Sequence, residues 1–217
     1  MNISIINQYF RFGGTLNKSH TYKGLEKMST VINQIHQLDG SVWHDLSSLF
    51  KYEEMKKGDY FVREGDFDDS VAFILKGVMR AFYITGKGTE YNKMFFTENS
   101  FAVSFASSLT GKPGYLNFHL LEDCSLLVTK YSNIVHLYDK HRSIETLIRK
   151  IIEYEWVIKK EQREIQLVTL DAKKRYLQFQ KDYPGLDHRI PLYQIASNIG
   201  ITPIQLSRIR TKLDKTS

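Results

Sequence analysis

One cysteine, four prolines and no long apolar run say first what this chain of 217 residues is not. With Cys124 alone, no intrachain disulfide can form and no iron–sulfur cluster can be held by several cysteines of one chain. Cys124 reads instead as a small apolar filler in a strand. The seven histidines, at positions 20, 36, 44, 119, 136, 141 and 188, form no His-x-x-x-His pair and join no Cys-x-x-Cys. The usual zinc and cupin-type metal sets are therefore missing, so no metal, no cofactor and no enzyme is expected, and a haem on one lone histidine has nothing further to support it. No stretch of about 18 apolar residues occurs, and the N-terminus lacks the basic start and continuous apolar core of a secretory signal. The expectation is a cytoplasmic protein with no membrane partner.

What is present suffices for packed cores: 42% of residues are hydrophobic and 13% aromatic. Charge is unevenly spread. From position 169 onward nine Lys or Arg face four Asp, a net of +5 out of the chain total of +6, while positions 1–168 carry 21 basic and 20 acidic groups. A basic terminal segment beside a neutral remainder is the electrostatic footprint of a phosphate-binding module.

Within that segment, LYQIASNIGITPIQLSRIRTKL (192–213) reads as two short helices joined by a tight turn. Ile195, Ala196 and Ile199 give the first helix an apolar face, and Gly200 can take the positive φ that ends it. Thr202-Pro203 is an N-cap followed by proline at the first helical position. Leu206 and Ile209 turn back onto the first helix. Outward remain Gln205, Ser207, Arg208, Thr211 and Lys212, suited to base edges and phosphates, so the pair has the pattern of a helix-turn-helix with its recognition helix second. Arg208 is the candidate for guanine and Gln205 for adenine, with Arg210, Thr211 and Lys212 for phosphates and Thr202 at the head of the helix. An ordinary helical hairpin is the competing reading.

Upstream, short apolar or alternating runs from position 51 to 130 are separated by turn residues every eight to twelve positions, as in a compact antiparallel β domain. Tyr60–Val62, Val71–Leu75, Val78–Ile84, Tyr91–Phe96 and Leu120–Val128 are the expected strands, with Gly86-Lys87-Gly88 a hairpin turn. Short helices over 31–49 pack outside them. Isoleucine then recurs every seven residues at Ile144, Ile151, Ile158 and Ile165, with Leu147, Tyr154, Glu161 and Val168 at the alternate seam positions. Such a seam predicts a homodimer along one long helix, its interface at Ile144, Leu147, Ile151, Tyr154, Ile158 and Ile165, interrupted by Glu161. The fold class is α+β, in four parts: 1–27 an extension or mobile arm, 28–142 an effector-type β-roll with flanking helices, 143–168 the dimerisation helix and 169–217 the helix-turn-helix domain. Met28 is a candidate alternative to Met1 as translation start.

This order of β-roll, long helix and terminal helix-turn-helix resembles the Crp/Fnr family of transcription regulators. The likeness spans roughly 31–213 and rests on Lys57-Gly58-Asp59, Glu64-Gly65, Phe73-Ile74-Leu75-Lys76-Gly77 and the 195–209 motif; IASxxGITPxxLSRIR is similar to a shortened subgroup, the sequence ending four residues past Leu213. The resemblance implies a cyclic-nucleotide-binding-like roll and a cytoplasmic homodimer on a pseudo-palindromic DNA duplex, with RNA polymerase a further partner. It also locates a departure. The family's cyclic-nucleotide members begin their ligand cassette Phe-x-Gly-Glu and continue with Arg-Ser or Arg-Thr, whereas here Val103, Ser104 and Gly114 stand at the glycine, glutamate and arginine positions. Loss of the partner for a buried phosphate costs on the order of 2–5 kcal/mol of binding, so cyclic AMP is not the expected ligand. Ser104, Ser107, Tyr115 and Asn117 are the candidate pocket for an unidentified small-molecule effector, or they close a self-satisfied turn. A ligand sensor or interaction module of this fold without specific DNA binding is the alternative function.

Overall fold

The computed structural model describes residues 15–215. Helix α1 (Thr15–Ile35) and helix α2 (Gly40–Ser48) lead into eight strands: β1 (Lys51–Met55), β2 (Tyr60–Val62), β3 (Ser70–Lys76), β4 (Met79–Ile84), β5 (Glu90–Phe96), β6 (Phe101–Val103), β7 (Asn117–Leu120) and β8 (Cys124–Lys130). Helix α3 (Phe105–Thr110) lies between β6 and β7, and α4 (Tyr131–Val135) follows β8. The strands form two antiparallel four-stranded sheets, ordered β1-β8-β3-β6 and β2-β7-β4-β5, which is the expected roll.

Strand alternation explains why β3 reads as an unbroken apolar run. Val71 and Phe73 point to the core beneath α1 and α2, while Ala72 and Ile74 point between the sheets, so both faces are buried. Where β3 leaves its sheet, Gly77 holds φ +104°, and a Cβ there would stand 2.6 Å from the Asp123 carbonyl oxygen and from Cys124 Sγ. No side chain fits this crossing.

The expected strand 120–128 is in fact two, β7 in one sheet and β8 in the other. The Asp123 carboxylate accepts from the Lys57 backbone N–H at 2.9 Å and from Lys56 Nζ at 3.0 Å, and Leu121 N–H donates to the Val78 carbonyl at 2.8 Å. These bonds pin a corner that the flanking leucines conceal in the sequence. The boundary expected at position 27 also falls inside an element: α1 runs through it, with Met28 fully buried and Lys27 Nζ donating to the Leu75 carbonyl at 3.0 Å. Positions 1–14 of the expected arm lie outside the described residues.

The long helix is present but not uniform. Helix α5 (Arg142–Ile151) passes through a π-helical stretch, Ile152–Ile158, into α6 (Lys159–Thr169). A π turn rotates everything after it relative to an α-helical frame, so the seven-residue seam splits. Ile144, Leu147 and Ile151, expected at a dimer interface, are at most 8% exposed in the chain's own core against α1 and α2. Tyr154, Ile158, Ile165 and Val168 are exposed, together with Val157. No helix among the described residues is long and apolar enough to cross a membrane.

Candidate nucleic-acid interface

The terminal domain comprises α7 (Ala172–Asp182), a short 3-10 turn at Leu186–His188, α8 (Leu192–Ile199) and α9 (Pro203–Asp214). Asp171 caps α7 by accepting from Lys174 N–H at 2.8 Å. Tyr176 and Phe179 of α7, Leu186, Ile195, Ala196, Ile199 and Leu206 form a core in which none exceeds 4% exposure. Gly200 ends α8 at φ +69°, letting Ile201 N–H donate to the Ala196 carbonyl at 3.0 Å. The turn is thereby fixed and α9 starts at a defined angle.

Its start is a capping box. Gln205 N–H donates to Thr202 Oγ1 at 3.2 Å, and Thr202 N–H donates back to Gln205 Oε1 at 3.0 Å. Leu206 and Ile209 hold α9 against the core, and Thr202, Gln205, Ser207, Arg208, Thr211 and Lys212 face solvent, with Arg210 half-buried. The capping box revises the part expected of Gln205. Bidentate adenine reading needs its amide oxygen, and that oxygen is engaged in the cap. The guanidinium of exposed Arg208 makes no hydrogen bond or ion pair with described residues.

A feature that the sequence did not disclose is the docking of α8 on β5. Gln194 and Asn198, one turn apart, are each 2% exposed. Asn92 Nδ2 donates to the Gln194 carbonyl at 2.8 Å and to its Oε1 at 2.6 Å; Asn92 N–H donates to Ser197 Oγ at 3.0 Å, and Asn198 Nδ2 to the Asn92 carbonyl at 3.2 Å. Arg80, 5% exposed and stacked 3.8 Å over Phe82, donates to Gln194 Oε1 at 2.9 Å and through Nε to His119 Nδ1 at 3.3 Å. Burial, then the charge of Arg80, keeps the His119 imidazole below its usual pKa and so in the neutral form that accepts this bond. From the long helix, Arg163 donates to the Asn198 carbonyl at 2.7 Å. At the far edge Arg189 bridges Glu98 at 2.8 Å and Glu122 at 2.7 Å. The one available signal was a glutamine and an asparagine on the apolar side of a short helix.

In the expected effector cassette, Ser107 and Asn117 bond within the chain. Ser107 Oγ accepts from Asp68 N–H at 3.0 Å and donates to the Lys112 carbonyl at 2.9 Å, while Asn117 accepts from Glu64 N–H at 3.1 Å. Gly114 pairs with the 65–66 turn, Gly65 N–H to its carbonyl and its N–H to the Asp66 carbonyl, both at 3.0 Å. Ser104, Ser107 and Asn117 are buried, and Tyr115 stands apart at 76% exposure. The bonds at Ser107, Asn117 and Gly114 close a turn from within the chain.

No protein-family model and no curated protein sequence matches the chain. Solved structures do. FixK2 from Bradyrhizobium japonicum superposes with a TM-score of 0.66 at 15% identity, over 77% of this chain and 85% of that one. The c-di-GMP-responsive global regulator CLP of Xanthomonas campestris gives 0.64 at 12%, over 82% and 93%. A protein of the Crp/Fnr family from Eubacterium rectale gives 0.64 at 13%, over 82% and 85%. The chain thus has the Crp/Fnr fold, roll, long helix and terminal helical domain together.

Arg189 holds the Glu98 carboxyl at about 2, against an ordinary 4.5. Because the folded value is depressed, this contribution is complete above 4.5 and is lost as pH falls through about 2. Urea unfolding of Glu98→Gln at neutral pH and at about pH 3 checks it: the stability gap to the parent should narrow on acidification, and an unchanged gap would contradict the linkage.

Proposed function

We propose that the chain is a dimeric, sequence-specific DNA-binding transcription regulator of the Crp/Fnr type that does not respond to cyclic AMP. The observation that carries this reading is α9: its apolar side is locked by Leu206 and a capping box while Ser207, Arg208, Thr211 and Lys212 face outward. An exposed helix held this rigidly, in a segment of net charge +5, can enter a major groove at a fixed angle. Arg208 reads a base, with Thr202, Arg210, Thr211 and Lys212 positioning the helix on phosphates and Gln205 fixing its start. That CLP is a global regulator, and that the Eubacterium rectale protein is described as a transcriptional regulator of the Crp/Fnr family, supports the reading by analogy of fold. Its work is binding rather than catalysis, with RNA polymerase as the downstream partner.

Independence from cyclic AMP is supported by the cassette, where Gly114 offers no charge to a phosphate and is paired with the 65–66 turn. Dimerisation uses what the π stretch leaves exposed. Ile158, Ile165 and Val168 keep a heptad spacing along α6, broken at exposed Glu161, and with Tyr154, exposed within the π stretch, they form the surface for a second copy.

Arg208→Ala should lose about 1–3 kcal/mol on a selected operator and relax one base position, measured as binding to a set of single-base variants. Equal loss on every duplex would make Arg208 a phosphate contact. Ile158→Glu with Ile165→Glu should yield a folded monomer by sedimentation; a dimer of unchanged size would place the interface elsewhere.

A further inference from the structure

Between the roll, the long helix and α7 lies a crevice of about 860 Å³, within the size range of small-molecule sites and at a domain junction, where such sites concentrate. It is separate from the closed cassette: Ser104, Ser107, Gly114 and Asn117 take no part in its wall. One side is aromatic. Phe105 of the roll meets Trp156 of the long helix edge-on, ring centres 5.1 Å apart, with Phe95, Phe101 and Tyr183 alongside. Trp156 belongs to the π-helical stretch, and such departures from α geometry gather at functional sites.

The other side is cationic. Seven lysines and arginines line the crevice against two carboxylates, Glu155 and Asp182. Only Lys159 and Lys160 have a carboxylate at ion-pair distance among the described residues. Arg163 spends its donors on the Asn198 side chain and on carbonyl oxygens. Arg175 binds the Leu167 and Leu170 carbonyls, and its buried Nε has no partner. Lys93 is half-buried with its Nζ 5.8 Å from the Trp156 ring centre and no carboxylate at ion-pair distance among the described residues, Glu164 acting on it only from farther off. Burial, Lys160 and Arg163 together pull the Lys93 ammonium below its ordinary pKa. Cations clustered in excess of their counter-charges are unfavourable in a partly desolvated crevice, and an anion relieves them.

We propose that this crevice binds an amphipathic organic carboxylate, its acyl chain or ring among Phe95, Phe105 and Trp156 and its head on Lys93 and on Lys160, which it shares with the Glu164 carboxylate 3.6 Å away. The occupant is an amphiphile because the two sides differ in chemistry, and it is an anion because the cations outnumber the carboxylates. A molecule lodged there touches the roll, the long helix and α7 at once. Its effect on operator binding rests on the regulator reading above; its binding does not.

The test uses the full chain carrying Trp43→Phe, which leaves Trp156 as the sole tryptophan. Dodecanoate, dodecanol and dodecylamine are titrated below their aggregation limits while Trp156 fluorescence is read. Dodecanoate should give a saturable change at an affinity at least about tenfold above the other two, by the loss of one charge-assisted contact. Lys93→Gln with Lys160→Gln should weaken dodecanoate by a similar factor with no fall in the thermal midpoint, and Lys93→Arg with Lys160→Arg should restore it. The absence of saturable binding, whether the crevice collapses or a second copy fills it, overturns the proposal. So does equal affinity for dodecanol, or a glutamine variant that binds as the parent does. DNA binding is scored separately, so a protein that binds DNA but not dodecanoate fails this inference alone.

Discussion

Arg80 organises the contact on which the arrangement of this molecule depends. Its guanidinium lies almost wholly buried on the outer face of the second sheet, where an uncompensated charge would cost several kcal/mol, roughly 3–5 when a partner is removed. Asn92, Glu90 and His119 from the roll and Gln194 from α8 supply the compensation. The group is therefore satisfied in full only when the terminal domain is docked. Apolar residues continue the contact, since Val78, Phe95 and Leu121 of the roll share a core with Tyr176, Phe179 and Ile195. A bound state of this kind fixes the position of α9 relative to the long helix, and any ligand or duplex that favours another orientation must compete with it.

The long helix transmits that position. Its first half is committed to the roll through Ile144, Leu147 and Ile151, and its second half carries Arg163, which reaches across to Asn198. Between them the π stretch rotates the helix face, so the same side that begins buried against α1 and α2 emerges exposed by Ile158 and Ile165. One element can thus pack on its own domain and still present an apolar stripe. The crevice opens beside this stretch, where the long helix, the roll and α7 meet.

Much of this was legible in the residues because local chemistry and global fold agree. Strands such as Val71–Leu75 and Tyr91–Phe96 announce themselves by apolar content and glycine turns, and the helix-turn-helix by Gly200, Thr202 and Pro203, each demanded by a backbone conformation. Strand β1 escaped notice because KYEEM is an edge strand with polar side chains, and β6 because it is only three residues long. The 120–128 run hid a change of sheet, since leucines on both sides of the corner are buried alike. The burial of Gln194 and Asn198 was not legible, since only a partner surface bearing Asn92 and Arg80 makes it favourable. The split seam was invisible for a related reason, because a heptad count assumes an unbroken α-helix.

The central claim is that two copies of α9 read a duplex by its bases. Selection from random duplex DNA with the purified protein, at near-physiological salt and with no ligand added, tests it most directly. The account predicts enrichment of a pseudo-palindrome whose half-sites lie about one helical turn apart. Recovery of bound duplexes with no shared sequence, at an affinity that falls with salt alone, would contradict it.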